Sequence, residues 1–274
     1  MIAAAARDGA AWLAAEKAAD ESQSALGGKD VTLLWDNNKH TREINFLGYE
    51  YTINPSPISN GSWIVYDPKK PQVWKVPLLD EIVPVIAVKA PRGGYVVPAA
   101  FAKEIAEKLK LHGIEFVTLK ETRAASAVES FRATKAEAAK ATFEGRTRMS
   151  LEGAWAADTR VLLAGSLFVP IAQPKALLVM QLFEPVGPDS FVAWGFFNAA
   201  FEQKEYMEAY VAEQVARDLL TANPALQKEF DARIAADPEF AKDAEKRLDF
   251  FYQRSPSWDE RYNLVPTYRV ERAP

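Results

Sequence analysis

The sequence predicts an α+β protein: a mainly antiparallel sheet with one strand–helix–strand crossover, closed by a C-terminal helical cluster. Three observations carry this. Residues 31–88 hold short runs rich in β-branched and aromatic residues, punctuated by turn residues. A helical pattern lies between two short strands over residues 91–119. Beyond Gly165 to Asn198, the most apolar run of the chain, the spacing turns helical. The reading expects one compact unit over residues 1–274, with sub-regions 1–28, 29–124 and 125–274. Any boundary is expected near Thr122 to Ala127.

Taken in order, residues 2–26 read as an amphipathic helix of Ala, Leu, Glu and Lys, ended by Gly27-Gly28. Trp12 and Leu13 are its only bulky anchors, so it needs a surface to dock on. The runs VTLLW, TREINFLGYEYTI, SWIVY, QVWKV and VPVIAV then read as strands. Asn37-Asn38, Pro55-Ser56-Pro57, Asn60-Gly61 and Asp67-Pro68 supply the turns between them. Ile44 and Phe46 alternate with Glu43 and Asn45, the mark of a half-exposed antiparallel sheet. Tyr95 to Val97 reads as a strand, Pro98 as a helix start, and Phe101, Ile105, Leu109 and Leu111 as helical spacing. Gly113 ends that helix before a strand at Ile114 to Leu119.

Short strands are expected at Val128 to Ala133, Arg146 to Leu151 and Val161 to Leu163, with Lys135 to Ala141 either a helical turn or strand. Glu202 to Leu220 carries Tyr206, Tyr210, Val211, Val215 and Leu219 at helical intervals. Asn223-Pro224 opens a second helix through Ile234, and Asp237-Pro238 a third. The tail from Phe250 reads as an aromatic loop with a last strand at Thr267 to Val270.

The totals exclude several functions. A net charge of −4 and the lack of any basic block argue against nucleic acid. Cysteine is absent, so no disulfide, thiolate nucleophile or cysteine-bound metal is expected. No run approaches the ~18 apolar residues a membrane span requires. An apolar fraction of 49% and a charged fraction of 26% fit a soluble globular chain.

His40-Thr41-Arg42-Glu43 matches the H-x-x-E spacing of zinc carboxypeptidases. On a strand, residues three apart face opposite ways, so an accidental match is the favoured reading. His112 reads as a residue at a helix C-terminus. No G-x-S-x-G elbow occurs, and Pro91-Arg92-Gly93-Gly94-Tyr95 lacks the pattern of a phosphate cradle. Glu202 with Glu205, and Asp259 with Glu260, read as solvated surface charges. Phe250, Phe251, Tyr252, Trp258 and Tyr262, interleaved with Arg254, Asp259 and Arg261, read first as rings stapling the tail to the core. The alternative is a peptide- or glycan-binding surface.

An ordered series covers most of the chain. It runs from PSPIS and YDPKKPQVWKVP through APRGGYVVPAAF, FEGR and AGSLFVPIAQPKALLVMQLFEP to DSFVAWGFFNAAFEQKEYMEAYV and DPEFAKDAEKRLDFFYQRSPSWDERYNLVP. This series resembles the C-terminal, non-catalytic region of bacterial zinc carboxypeptidases of the carboxypeptidase A-like metallopeptidase family. The resemblance implies that zinc, its H-x-x-E pair and later His, and the general-base Glu belong to a catalytic domain upstream of the matched region. It assigns no catalytic, cofactor-binding or metal-binding residue here, and His40 and Glu43 fall inside the extension. The implied partner is the peptidase domain of the parent protein, in cis or in trans. The implied location is periplasmic or secreted where the parent carries a signal peptide, and cytoplasmic otherwise. An independent peptide- or glycan-binding module using the aromatic tail is the alternative. A stand-alone metal hydrolase built on His40 and Glu43 is the third reading.

Overall fold

A computed structural model describes residues 2–274 and bears out the α+β class. The chain forms two compact units, Met1–Gly28 with Ala90–Pro274, and Lys29–Lys89, where the sequence reading expects one. The reason is local pairing. Strand β1 (Asp30–Asn37) pairs antiparallel with β4 (Ile82–Lys89), so the segment leaves and returns through adjacent strands and closes on itself. The boundary expected near Thr122 to Ala127 instead runs into a continuous strand from Arg123.

The smaller unit is two-stranded throughout. β2 (Arg42–Pro55) pairs only with β3 (Ser62–Leu78), antiparallel. SWIVY and QVWKV, read as separate strands, form one strand. Asp67-Pro68, read as a turn, sits in an irregularity where residues 67–70 bulge opposite Glu50. Lys70 Nζ lies 2.7 Å from Glu50 Oε1 across it.

In the larger unit a six-stranded sheet runs β6-β9-β5-β10-β7-β8. Its members are β5 (Gly94–Val97), β6 (Val117–Thr118), β7 (Arg123–Ala138), β8 (Met149–Leu162), β9 (Leu167–Pro170) and β10 (Leu264–Val270). Every ladder is antiparallel. β5 and β6 flank β9 and so run parallel to each other, with helix α2 (Ala99–Leu111) between them in sequence. The crossover is therefore split by an inserted strand. α2 buries Ala102, Ile105 and Leu109, the face its spacing predicts, while Leu111 is exposed. Gly93-Gly94 admits β5 to the sheet centre. Gly94 has φ 143°, and a Cβ there would collide with the Val169 carbonyl oxygen.

β7 and β8 replace the three short strands expected between 125 and 164. The alanine-rich letters there have low strand propensity, and the long register from Arg123 to Leu162 overrides it. β10, the last strand, lies at the middle of the sheet between β5 and β7.

Helix α1 (Ile2–Gln23) has no buried residue. α3 (Ala176–Phe183) buries Ala176, Val179, Met180 and Phe183. Four helices make the C-terminal cluster: α4 (Ala209–Ala222), α5 (Pro224–Ala236), α6 (Pro238–Lys242) and α7 (Ala244–Tyr252). Asn223, Asp237 and Asp243 cap α5, α6 and α7 through side-chain oxygens, the first two just before Pro. The expected start of α4 at Glu202 is wrong by seven residues, and Tyr206 and Tyr210 are exposed. Its buried residues are Ala212 and Ala216, small enough to let α7 approach closely. Phe230, Phe240, Phe250 and Phe251 form the centre of this cluster.

Candidate functional site

Two features stand out, one buried and one exposed. The buried one centres on Glu184, the only acid between Gly165 and Pro188, which follows α3 and is fully buried. Its Oε1 accepts hydrogen bonds from the Tyr95 hydroxyl on β5 and from Arg269 Nε on β10, the latter at 2.9 Å. Its Oε2 accepts from Trp155 Nε1 on β8 at 3.1 Å and lies 2.6 Å from the Arg269 guanidinium. Arg269 also sits 4.4 Å over the Trp155 ring. Burial pushes the Tyr95 phenol well above its usual range, and the neighbouring Glu184 charge adds to that. The phenol therefore stays a neutral donor. Four donors thus converge on the two carboxylate oxygens. The work of Glu184 is to tie α3 to the sheet.

The exposed feature is one face of the β2–β3 ribbon. The register sets Phe46 opposite Trp74, Tyr51 opposite Tyr66 and Ile53 opposite Ile64. The Phe46 and Trp74 rings stack at 6.0 Å, and Tyr51 meets Trp74 edge-on at 5.7 Å, so these pairs share a face. Gly48 makes the stack possible, because a Cβ there would lie 2.5 Å from the Trp74 ring. Side-chain alternation sends Glu43, Asn45, Thr52 and Asn54 to the other face, which also carries the exposed Leu47, Trp63, Val65 and Val73 and is therefore mixed, with the Glu43–Lys75 ion pair at 3.4 Å. On the apolar face Phe46 is 51% exposed and Ile53 61%. The Trp74 Nε1 hydrogen has no acceptor among the described residues. A two-stranded ribbon is marginal in water by itself, and an exposed aromatic stripe marks this face as a candidate interaction surface.

His40 lies in the loop between β1 and β2 rather than on a strand. Its Nδ1 is 3.3 Å from Glu81, while Glu43 turns to Lys75, so the H-x-x-E pair is not brought together. Among the described residues no three His, Asp or Glu side chains gather as a metal would require. His112 caps α2, and its carbonyl accepts from Lys175 Nζ at 2.5 Å. Glu202, Glu205 and Glu260 are exposed, and Asp259 is half-buried, accepting from the Arg261 backbone N–H. Phe250, Phe251 and Tyr252 are buried, and Trp258 packs edge-on against Tyr252 and Tyr262. Most of the tail rings are thus spent on packing.

Of the features above, the alternation at Ile44 and Phe46 pointed to the ribbon face. Glu184 was missed, although it is one of only two acids in the most apolar run, with Asp189, and that was the signal for it. No protein-family model, curated protein or solved structure matches the chain. Among the described residues no helix is long and apolar enough to cross a membrane.

Proposed function

We propose that this chain is a non-catalytic accessory region of a zinc metallocarboxypeptidase-like protein. It docks on the peptidase domain through the apolar face of the β2–β3 ribbon and shapes access to that domain's active site. The observation that carries this reading is the half-exposed stripe of Phe46, Tyr51, Ile53, Ile64, Tyr66 and Trp74 on a ribbon with no third strand. The ordered motif series supplies the identity of the partner. Zinc and the catalytic groups belong to the peptidase domain.

The test begins with the reading frame that encodes the chain, which should carry an H-x-x-E peptidase domain upstream. That domain, produced separately, should bind the 274-residue chain, and the Phe46→Asp/Ile53→Asp variant should bind at least tenfold more weakly. Absence of the upstream domain, or binding indifferent to the substitutions, would overturn the proposal.

A further inference from the structure

A cavity of about 530 Å³ in the larger unit, unconnected with the ribbon, has a lining that points to a ligand class. Its floor is apolar and buried, with Leu162 from β8 and Leu264 from β10, while Phe101 from α2 forms a half-buried wall. Three cations line it as well: Arg160 from β8, Lys204 from the segment before α4, and Arg261 from the loop before β10.

These cations are not equivalent. Arg160 is already committed, with its Nε 2.6 Å from Asp158 Oδ2. Asp158 is itself held by the Ser130 hydroxyl at 2.7 Å and by the Thr159 N–H at 2.7 Å. Burial works against the Asp158 charge, but these hydrogen bonds together hold its carboxyl below the usual range, so the pair is locked. Lys204 and Arg261 are exposed, and among the described residues neither side chain has an ion-pair or hydrogen-bond partner. The half-buried Tyr268 also lines the cavity, and its hydroxyl has no hydrogen-bond partner among the described residues. Burial raises the phenol above its usual range, with Arg160 and Arg261 opposing, so it remains a donor at neutral pH.

Unpaired donors at the rim of an apolar hollow are the arrangement that holds an amphipathic anion: body on the floor, charge at the mouth. Arg261 offers a fork that fits two carboxylate oxygens, and Lys204 adds a point charge. We propose that this cavity binds a small organic carboxylate with an apolar body. The apolar part sits between Phe101, Leu162 and Leu264, and the carboxylate is held by Arg261 and Lys204, with Tyr268 donating. This site does not depend on the peptidase-domain reading.

The test is calorimetric titration of the whole chain with 4-phenylbutyrate, with its amide, with the tripeptide Gly-Gly-Phe, and with inorganic phosphate. The expected result is that 4-phenylbutyrate or Gly-Gly-Phe binds, the tighter of the two showing whether a free acid or a chain end is preferred. Binding should weaken roughly tenfold or more for the amide and for Arg261→Ala and Lys204→Ala, since each removes a charge-assisted bond. Both residues are exposed, so circular dichroism should show the variants folded like the parent. Equal binding of acid and amide would overturn the charge assignment, and phosphate binding as tightly as the acids would overturn the apolar floor. No heat with either carboxylate at millimolar concentration would overturn the site itself.

Discussion

The protein contains two long antiparallel hairpins that are alike in local construction and opposite in burial. β7–β8 is bordered by β10 and buries Val128, Phe131 and Ala133 in the six-stranded sheet. β2–β3 has no third strand and leaves Phe46, Tyr51 and Ile53 half-exposed. Each lays an aromatic ring beside a glycine: Phe131 beside Gly153, and Trp74 beside Gly48. Pairing and register are thus local properties, but stability comes from what covers the faces. A hairpin that supplies its own cover belongs to the fold. One that does not leaves its aromatic face half open to solvent.

The comparison predicts a steep difference between matched substitutions. The largest effect is expected at the centre of the covered sheet. Glu184→Ala removes the buried partner of Arg269, leaving it only the half-buried Glu129 at 3.8 Å, and should cost about 3–5 kcal/mol in urea unfolding of the larger unit. A loss below about 1 kcal/mol would show that the pair contributes little. Phe131→Ala should cost about 3–5 kcal/mol and Phe46→Ala under about 1 kcal/mol, because only the first opens a cavity. Equal losses would erase the distinction between the hairpins.

Next come the two glycines. In Gly153→Ala the new Cβ collides with the Arg132 carbonyl oxygen, which is backbone and cannot move aside. It should destabilise by more than about 2 kcal/mol. In Gly48→Ala the obstacle is the Trp74 side chain, which can swing outward, so the loss should be under about 1 kcal/mol. That substitution should show instead as altered Trp74 fluorescence.

The smallest expected effect is electrostatic. Asp249 on α7 has its carboxyl raised above the usual value by burial, with Glu245 adding to it. A raised acid disfavours the folded state once ionised, so its cost appears as pH rises through the folded value and persists above. Asp249→Asn should therefore raise Tm on the order of 1 °C near pH 7 and leave it unchanged near pH 3. A gain that persists at low pH would rule out this cause.

What the sequence made legible follows the same division. The strands of the ribbon, the α2 face and the proline-marked caps at Asn223 and Asp237 rest on local spacing and local turn chemistry, and these were readable. Of β7 and β8 only pieces were readable, at Val128 to Ala133, Met149 to Leu151 and Val161 to Leu162, since Ala136, Ala138 and Ala154 carry no strand signal and depend on a partner strand. The central place of β10 was equally hidden, because it is set by pairing with segments more than 130 residues away. Nor could spacing bring Lys204 and Arg261 to one cavity, as each looks like an ordinary surface charge. Ile44 and Phe46 did mark an apolar ribbon face, but not that it would lack a covering layer. Two-unit division was missed for a similar reason: β1 and β4 are 52 residues apart from first residue to first residue, Asp30 to Ile82, and only their pairing closes the segment.

The most direct measurement is hydrogen–deuterium exchange of the 274-residue chain with and without the proposed partner, an H-x-x-E peptidase domain. The account predicts slowed exchange across β2 and β3 on adding the domain, with β7 and β8 protected equally in both states. A complex that leaves β2 and β3 exchanging at their free rate would contradict it.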